Sequence, residues 1–224
     1  MADWAASVVT DTTTNTFKEP EHVPAAVRKQ FDDVFRRFSA IHTAIENIQL
    51  SYTFIRARRP QRKDIRLDQY LAYHIAAYIQ EIYILSERLE FYAKVMMRRK
   101  KRAVSDPGVE KRFAKIVEQM RTSFKNIVLA RGSHVHDRPF DDGSLEPLST
   151  YALLGQRDAK FAKLAATHYS TSRRTWVERL ESNKTTLDPL LDAYFDFMYE
   201  ELVASWAEML PNNSFKPKPL RGSA

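Results

Sequence analysis

The sequence predicts an all-α protein, an antiparallel bundle of long helices, and three observations carry that prediction. Apolar residues recur in alternating steps of four and three, the spacing that keeps side chains on one face of a helix turning every 3.6 residues or about that. Glycine is sparse, at five in 224 residues, and long stretches carry no proline, which argues against a turn-rich β architecture. A hydrophobic fraction of 44% with 12% aromatics is ample for a packed interior. The length fits one domain, since single cores commonly run to about 250 residues.

Residues 1–20, hydroxyl-rich from Thr10 to Thr16, read as a flexible arm before a single helical domain over 21–210. The first helix begins after Pro24 and carries Val27, Phe31, Val34, Phe38, Ile41, Ile45, Ile48 and Tyr52, ending near Arg58-Arg59-Pro60. The second is capped by Asp64 or Asp68, with the stripe Leu71, Ile75, Tyr78, Ile82, Leu85, Leu89, Tyr92, Met96. It closes on Arg98-Arg99-Lys100-Lys101-Arg102, cations that suit the negative end of a helix dipole. Asp106-Pro107 opens the third helix, whose stripe is Phe113, Val117, Met120, Phe124, Ile127 and then Arg131, with Gly132 placed to end or bend it.

From Asp137 to Pro147 the residues are those of a loop. A shorter helix is expected over roughly Gln156 to Tyr169, with Ser170 to Ser172 capping a last long helix that holds Trp176, Leu180, Leu187, Leu191, Tyr194, Met198 and Leu202. Pro189 predicts a kink or a restart there. The proline- and lysine-bearing tail 211–224 reads as flexible.

Composition narrows the chemistry. Without cysteine there is no disulfide, zinc–thiolate site or thiol nucleophile. The first residues lack a basic segment followed by an apolar run, and no stretch reaches the roughly 18 apolar residues of a membrane span. The expectation is a cytoplasmic protein with no membrane partner and no cofactor. A formal net charge of +7 favours polyanions.

The densest cluster of chemistry follows the third stripe: Arg131-Gly132-Ser133-His134-Val135-His136-Asp137-Arg138. An arginine stands where the buried face calls for an apolar residue, and histidines follow at once. Such an arginine needs an anionic partner, and a substrate phosphate is one. Arg131 and His136, with four residues between them, resemble the motif of the HEPN superfamily, small helical-bundle domains whose nuclease members carry an arginine, four to six residues and a histidine. The general architecture of the resemblance spans Val23 to Leu210, while its specific residues are Arg131 and His136 alone. Members usually have a polar residue directly after the arginine, and this chain has Gly132.

The resemblance implies a metal-independent endoribonuclease that leaves a 2′,3′-cyclic phosphate, with one site shared across a homodimer, serving as a toxin or defence effector. RNA is then the substrate, and an antitoxin or other regulatory protein a further partner. Histidine, with a pKa near about 6.5, can take the ribose 2′-hydroxyl proton. Arginine, always charged and bidentate, suits the phosphorane.

Other readings stand beside this one. His134, His136 and Asp137 could ligate a divalent ion, though metal sites need three or four ligands and no His-Glu-x-x-His partner motif occurs. The histidines could equally cap the helix end, with Arg131 in an internal ion pair. His134, Asp137, Glu81 and Glu87 are candidate supporting residues. Arg56, Arg58 and Arg59 form one basic cluster and Arg98, Arg99, Lys100, Lys101 and Arg102 another, as phosphate contacts or as solvated helix ends. Tyr52 and Phe54 beside the first cluster suit stacking with single-stranded nucleic acid. A second apolar face on the second helix, Ala77, Ile84, Phe91 and Val95, predicts a homodimer interface. The rival class is a non-catalytic helical module binding protein or nucleic acid through its basic helix ends.

Overall fold

A computed structural model of the chain describes residues 25–57, 60, 64–103, 105–136 and 143–209, with the backbone alone over 25–31, 126–136 and 202–209. The described residues are all-helical: α1 Ala25–Arg56, α2 Leu67–Ala103, α3 Val109–His136, α4 Leu145–Leu154 and α5 Ala159–Met209. The expected arm 1–20 and tail 211–224 lie outside the described residues. The described residues up to Arg37 and those from Phe38 onward form two units, and all the packing described below lies within the second.

Helix α2 is the central element. Every residue of its expected stripe, from Leu71 to Met96, is buried. It runs antiparallel to α1, where Arg88 donates to the Ala40 carbonyl and His74 stacks on Phe54 with ring centroids 4.6 Å apart. It is also antiparallel to α3, tied by the ion pairs Arg121–Glu90 and Lys101–Glu110. With α5 it runs parallel: Asn183 Nδ2 donates to Tyr78 Oη (3.3 Å), and Tyr194 donates to the Leu89 carbonyl (2.6 Å). Burial raises the Tyr194 phenol well above its ordinary pKa, so it stays a neutral donor in the core.

In α1 the deepest positions are Ile41, Ala44, Ile48, Ser51 and Ile55. Ile45 and Tyr52, expected on that seam, are only half-buried. The small Ala44 and Ser51 turn inward instead. Tyr52 sits at the edge, where its hydroxyl donates to Glu181 of α5 at 3.2 Å.

No helix ends at three places where the sequence allowed an end or a restart. Helix α3 continues through Gly132 to His136. Helix α5 is one helix of 51 residues that passes through Ser170–Ser172 and through Pro189. Its buried positions Ala165, Tyr169, Ser172, Trp176 and Leu180 step by four and three across the expected cap, so packing keeps the helix intact. Ser170 is satisfied within the helix, donating to the Ala166 carbonyl, while the buried Ser172 donates to the Ser144 carbonyl of the α4 entrance at 2.8 Å. A proline inside a helix costs about 3 kcal/mol. Thr185 and Pro189 are both exposed, so the carbonyl that loses its partner is within reach of water, and Leu191, Tyr194 and Met198 hold the next turns in the core.

Helix α4 occupies part of the stretch read as loop. Pro147 falls in its first turn, where a missing N–H costs nothing, and Leu145 and Leu148 are buried beneath it. The return into α5 is tight. Tyr151 stacks against His168 and Phe161, at 5.0 and 6.1 Å, and Gly155 closes the helix. Gly155 has an ordinary right-handed φ of −64°, so glycine is needed for space. A Cβ there would stand 2.8 Å from the backbone of Ala162. Gly155→Ala is therefore expected to destabilise the protein by about 1–3 kcal/mol. Thermal melting followed by circular dichroism checks this, and an unchanged midpoint would contradict the close approach.

Candidate functional site: the α3 motif and the basic helix ends

The buried seam of α3 runs Val109, Phe113, Ile116, Met120, Phe124. Positions 127, 131 and 134 continue it, each three or four residues on. Position 136 is five residues from 131, about 140° around a helix axis. Arg131 and His136 thus belong to one unbroken helix, and the histidine is not just beyond its end, as the sequence suggests. The side chains of Arg131, His134 and His136, and all of Asp137, lie outside the described residues.

The two glutamates proposed as supporting groups fall on different sides of α2. Glu81 stands seven residues from both His74 and Arg88, which reach α1, and so shares the α1 side. Glu87 is close enough to Arg121 of α3 to act on its charge. Its neighbour Glu90 takes the direct contact: Arg121 donates from Nε to Glu90 Oε2 at 2.9 Å and from Nη2 to Oε1 at 2.5 Å, and Lys94 adds a third hydrogen bond. The Arg121 hydrogen bonds, helped by Lys94 and opposed by burial, hold the Glu90 carboxyl at about 2.

The basic run at the end of α2 divides. Arg98 and Arg102 are exposed, Arg99 is half-buried, and Lys101 pairs with Glu110. Lys100, expected among the nucleic-acid contacts, turns inward with only 9% of its side chain exposed. It stands four residues after Met96 on the buried seam, and its Nζ lies 2.9 Å from Glu201 Oε2 and donates to the Glu201 carbonyl at 3.2 Å. Arg112 completes the group, with Nε 2.6 Å from Glu201 Oε1 and Nη2 2.8 Å from Asp106 Oδ2. Burial pushes the Glu201 carboxyl upward, but the hydrogen bonds from Arg112 and Lys100 outweigh it, so the group sits below its ordinary value. This knot joins α2, the α2–α3 turn and α5, and it is structural. An apolar-to-lysine continuation of the Leu85–Met96 stripe is the signal that could have separated Lys100 from its neighbours.

The first basic cluster lies at the far end of α2. Arg58 and Arg59 are outside the described residues. Arg56 ends α1, its guanidinium 5.9 Å above the Tyr52 ring, and Arg173 of α5 donates to the Arg56 carbonyl at 2.8 Å. The two clusters meet α5 near residues 173 and 201, about 40 Å apart along a helix rising about 1.5 Å per residue. Around the same end, His74 is packed by Phe54, Tyr70 and Tyr73, at 4.6, 4.6 and 5.2 Å. Burial lowers its pKa, which favours a neutral imidazole. Arg173, Arg174 and His74 went unnoticed in the sequence because each sits on a helix without a motif around it.

Between α3 and α5, beside Pro189, runs a groove of about 650 Å3 lined by residues that include Lys115, Gln119, Thr122 and Leu190. The second apolar face of α2 is partly taken up within the chain. Ala77, Ile84 and Val95 are half-buried, next to the positions that reach α1, while Phe91 is 51% exposed. Among the described residues no three histidine, aspartate or glutamate side chains converge as metal ligands, and no helix is long and apolar enough to cross a membrane. No known protein family, curated protein or solved structure matches this chain.

Proposed function

We propose that the protein is a metal-independent endoribonuclease of HEPN type, an antiparallel-type helical bundle that acts as a homodimer and serves as a toxin or defence effector. The observation that carries this reading is the seam of α3, apolar from Val109 to Phe124, whose continuation meets an arginine at 131 and a histidine at 134 inside one helix. The α2–α3 register adds to it. Glu110 pairs with Lys101 and Arg121 with Glu90, one residue for one residue. Carried on in the same step, position 131 comes level with Gln80 of α2.

In the reaction His136 removes the 2′-hydroxyl proton, and the 2′-oxygen attacks the adjacent phosphorus. Arg131 holds the charged phosphorane, and the P–O5′ bond breaks. A histidine of the second copy protonates the departing 5′-oxygen. The products are a 2′,3′-cyclic phosphate and a free 5′-hydroxyl. Each copy supplies one His136, so a twofold partner, which repeats every residue across its axis, is the source of the missing acid.

The test is to incubate the purified protein with mixed RNA in EDTA, analyse product ends, and measure mass by light scattering at the assay concentration. Cleavage in chelator with cyclic-phosphate ends, by a dimer, is expected. Activity lost in EDTA and restored by zinc or manganese would move the chemistry to His134, His136 and Asp137. RNA binding without cleavage would leave the non-catalytic module.

A further inference from the structure

A second place suited to RNA lies away from the α3 motif. The last turn of α1 and the middle of α5 enclose a cleft of about 360 Å3, lined by Arg56, Arg173, Arg174, Val177, Glu178 and Glu181. Three guanidinium groups thus meet two carboxylates around one half-buried valine. Part of this is architecture. Arg173 satisfies the carbonyl of Arg56, one of those left open at the end of α1. Tyr52, under the Arg56 guanidinium, fixes Glu181 through its hydroxyl.

What the architecture leaves over is directional. Arg173 uses one of its donors on the carbonyl, and a guanidinium has five. Among the described residues no carboxylate pairs with Arg174, which is exposed at the cleft. The chain that leaves Arg56 continues with Arg58, Arg59, Arg62 and Lys63, so a cationic run of the sequence starts at the cleft.

We propose that this cleft binds the sugar–phosphate backbone of single-stranded RNA, with Arg56, Arg173 and Arg174 on phosphate oxygens and Glu178 accepting a ribose 2′-hydroxyl. The proposal rests on the ribonuclease reading for its choice of ligand. Guanidinium forks match phosphate oxygens in pairs. A carboxylate set among them repels a lone phosphate but accepts a hydroxyl, and the 2′-hydroxyl is the group that separates RNA from DNA. The same carboxylates disfavour an anionic membrane, whose headgroups would press against Glu178 and Glu181 on a surface that is concave where a membrane is flat. Exposed aromatics lie at the same end, Phe54 on α1 and Tyr73 on α2, the latter 69% exposed. Bases of a strand held at the arginines can stack there.

The experiment measures binding of the full-length protein in its His136→Ala form, so that no turnover interferes. The probes are a fluorescent single-stranded RNA and the DNA of the same sequence, titrated with salt. Tighter binding to RNA than DNA is expected. Arg174→Ala should weaken RNA binding roughly fivefold at 0.1 M salt and reduce the log–log salt slope by about 0.7, one phosphate contact on a single strand. Arg174→Glu should weaken it further. Glu178→Gln should narrow the RNA-to-DNA ratio, and Lys111→Ala, at the far end of α3, should change nothing. Both residues are exposed, and unchanged melting of the variants confirms that they fold.

Wild-type affinity in both Arg174 variants would overturn the site. Equal binding of RNA and DNA would overturn the hydroxyl contact. Arg174-dependent binding to phosphatidylserine vesicles without RNA binding would overturn the ligand. Arg174-dependent RNA binding by a protein whose unmutated form never cleaves RNA would sink the ribonuclease reading while leaving this site standing.

Discussion

Replacing Arg131 or His136 with alanine is expected to lower RNA cleavage by about a thousandfold or more, because each removes a group that acts in the transition state. Neither change should lower helix content. Both positions lie in the last two turns of α3. Initial rates on a defined RNA, with melting curves beside them, check the pair together. A mutant that loses activity by unfolding would instead identify Arg131 as an internal ion-pair residue. Full activity in both would remove the proposed site. Mixed dimers carrying one His136→Ala subunit should be strongly impaired, since each copy contributes to one shared site. An active monomer would sink that arrangement.

Glu201→Ala is expected to have the largest effect on stability of any single charge removed. It would take from Lys100, whose side chain is 9% exposed, the carboxylate paired with it and leave only the carbonyl of position 201, and it would cut Arg112 back to Asp106. Breaking a buried pair by taking away one partner costs about 3–5 kcal/mol, because a charge is left without compensation. For a domain of this size that is a fall in melting temperature of roughly 6–20 °C. Glu90→Ala is the informative comparison. Its partner Arg121 is 56% exposed, so solvent replaces the lost contact and the cost should stay under about 1 kcal/mol. Equal shifts in the two variants would show that burial does not govern the α5 knot.

Much of the helical order was legible in the chain. The α2 stripe is buried at every expected position, because a long helix packed on several sides repeats its pattern often enough to leave one solution. In α1 the pattern marked the correct side but not the deepest line. An apolar face is about 100° wide, and the choice between Ile45 and Ala44 was made by how closely a neighbour approaches. Helix α4 was hidden by Pro147, a residue that breaks helices in the middle and suits them in the first turn.

The same limit applies to the candidate sites. Arg131 and the histidines stand out in sequence because an apolar series is interrupted by titratable groups. Lys100 continues the stripe of Met96 and Lys101 does not, but nothing local names their partners: one is buried on Glu201 and the other pairs at the surface with Glu110. Arg173 and Arg174 lie 117 and 118 residues from Arg56.

The sequence by itself determined the all-helical class, the central seam of α2 and the singular motif at the end of α3, since each depends only on residues within a few turns of one another. Tertiary structure alone decided that α5 runs unbroken past Ser170 and Pro189, that Lys100 serves the core, and that arginines from α1 and α5 share a cleft. Those outcomes depend on burial and on pairing between helices far apart in the chain, and the balance of desolvation against partner contact exists only once the helices have met.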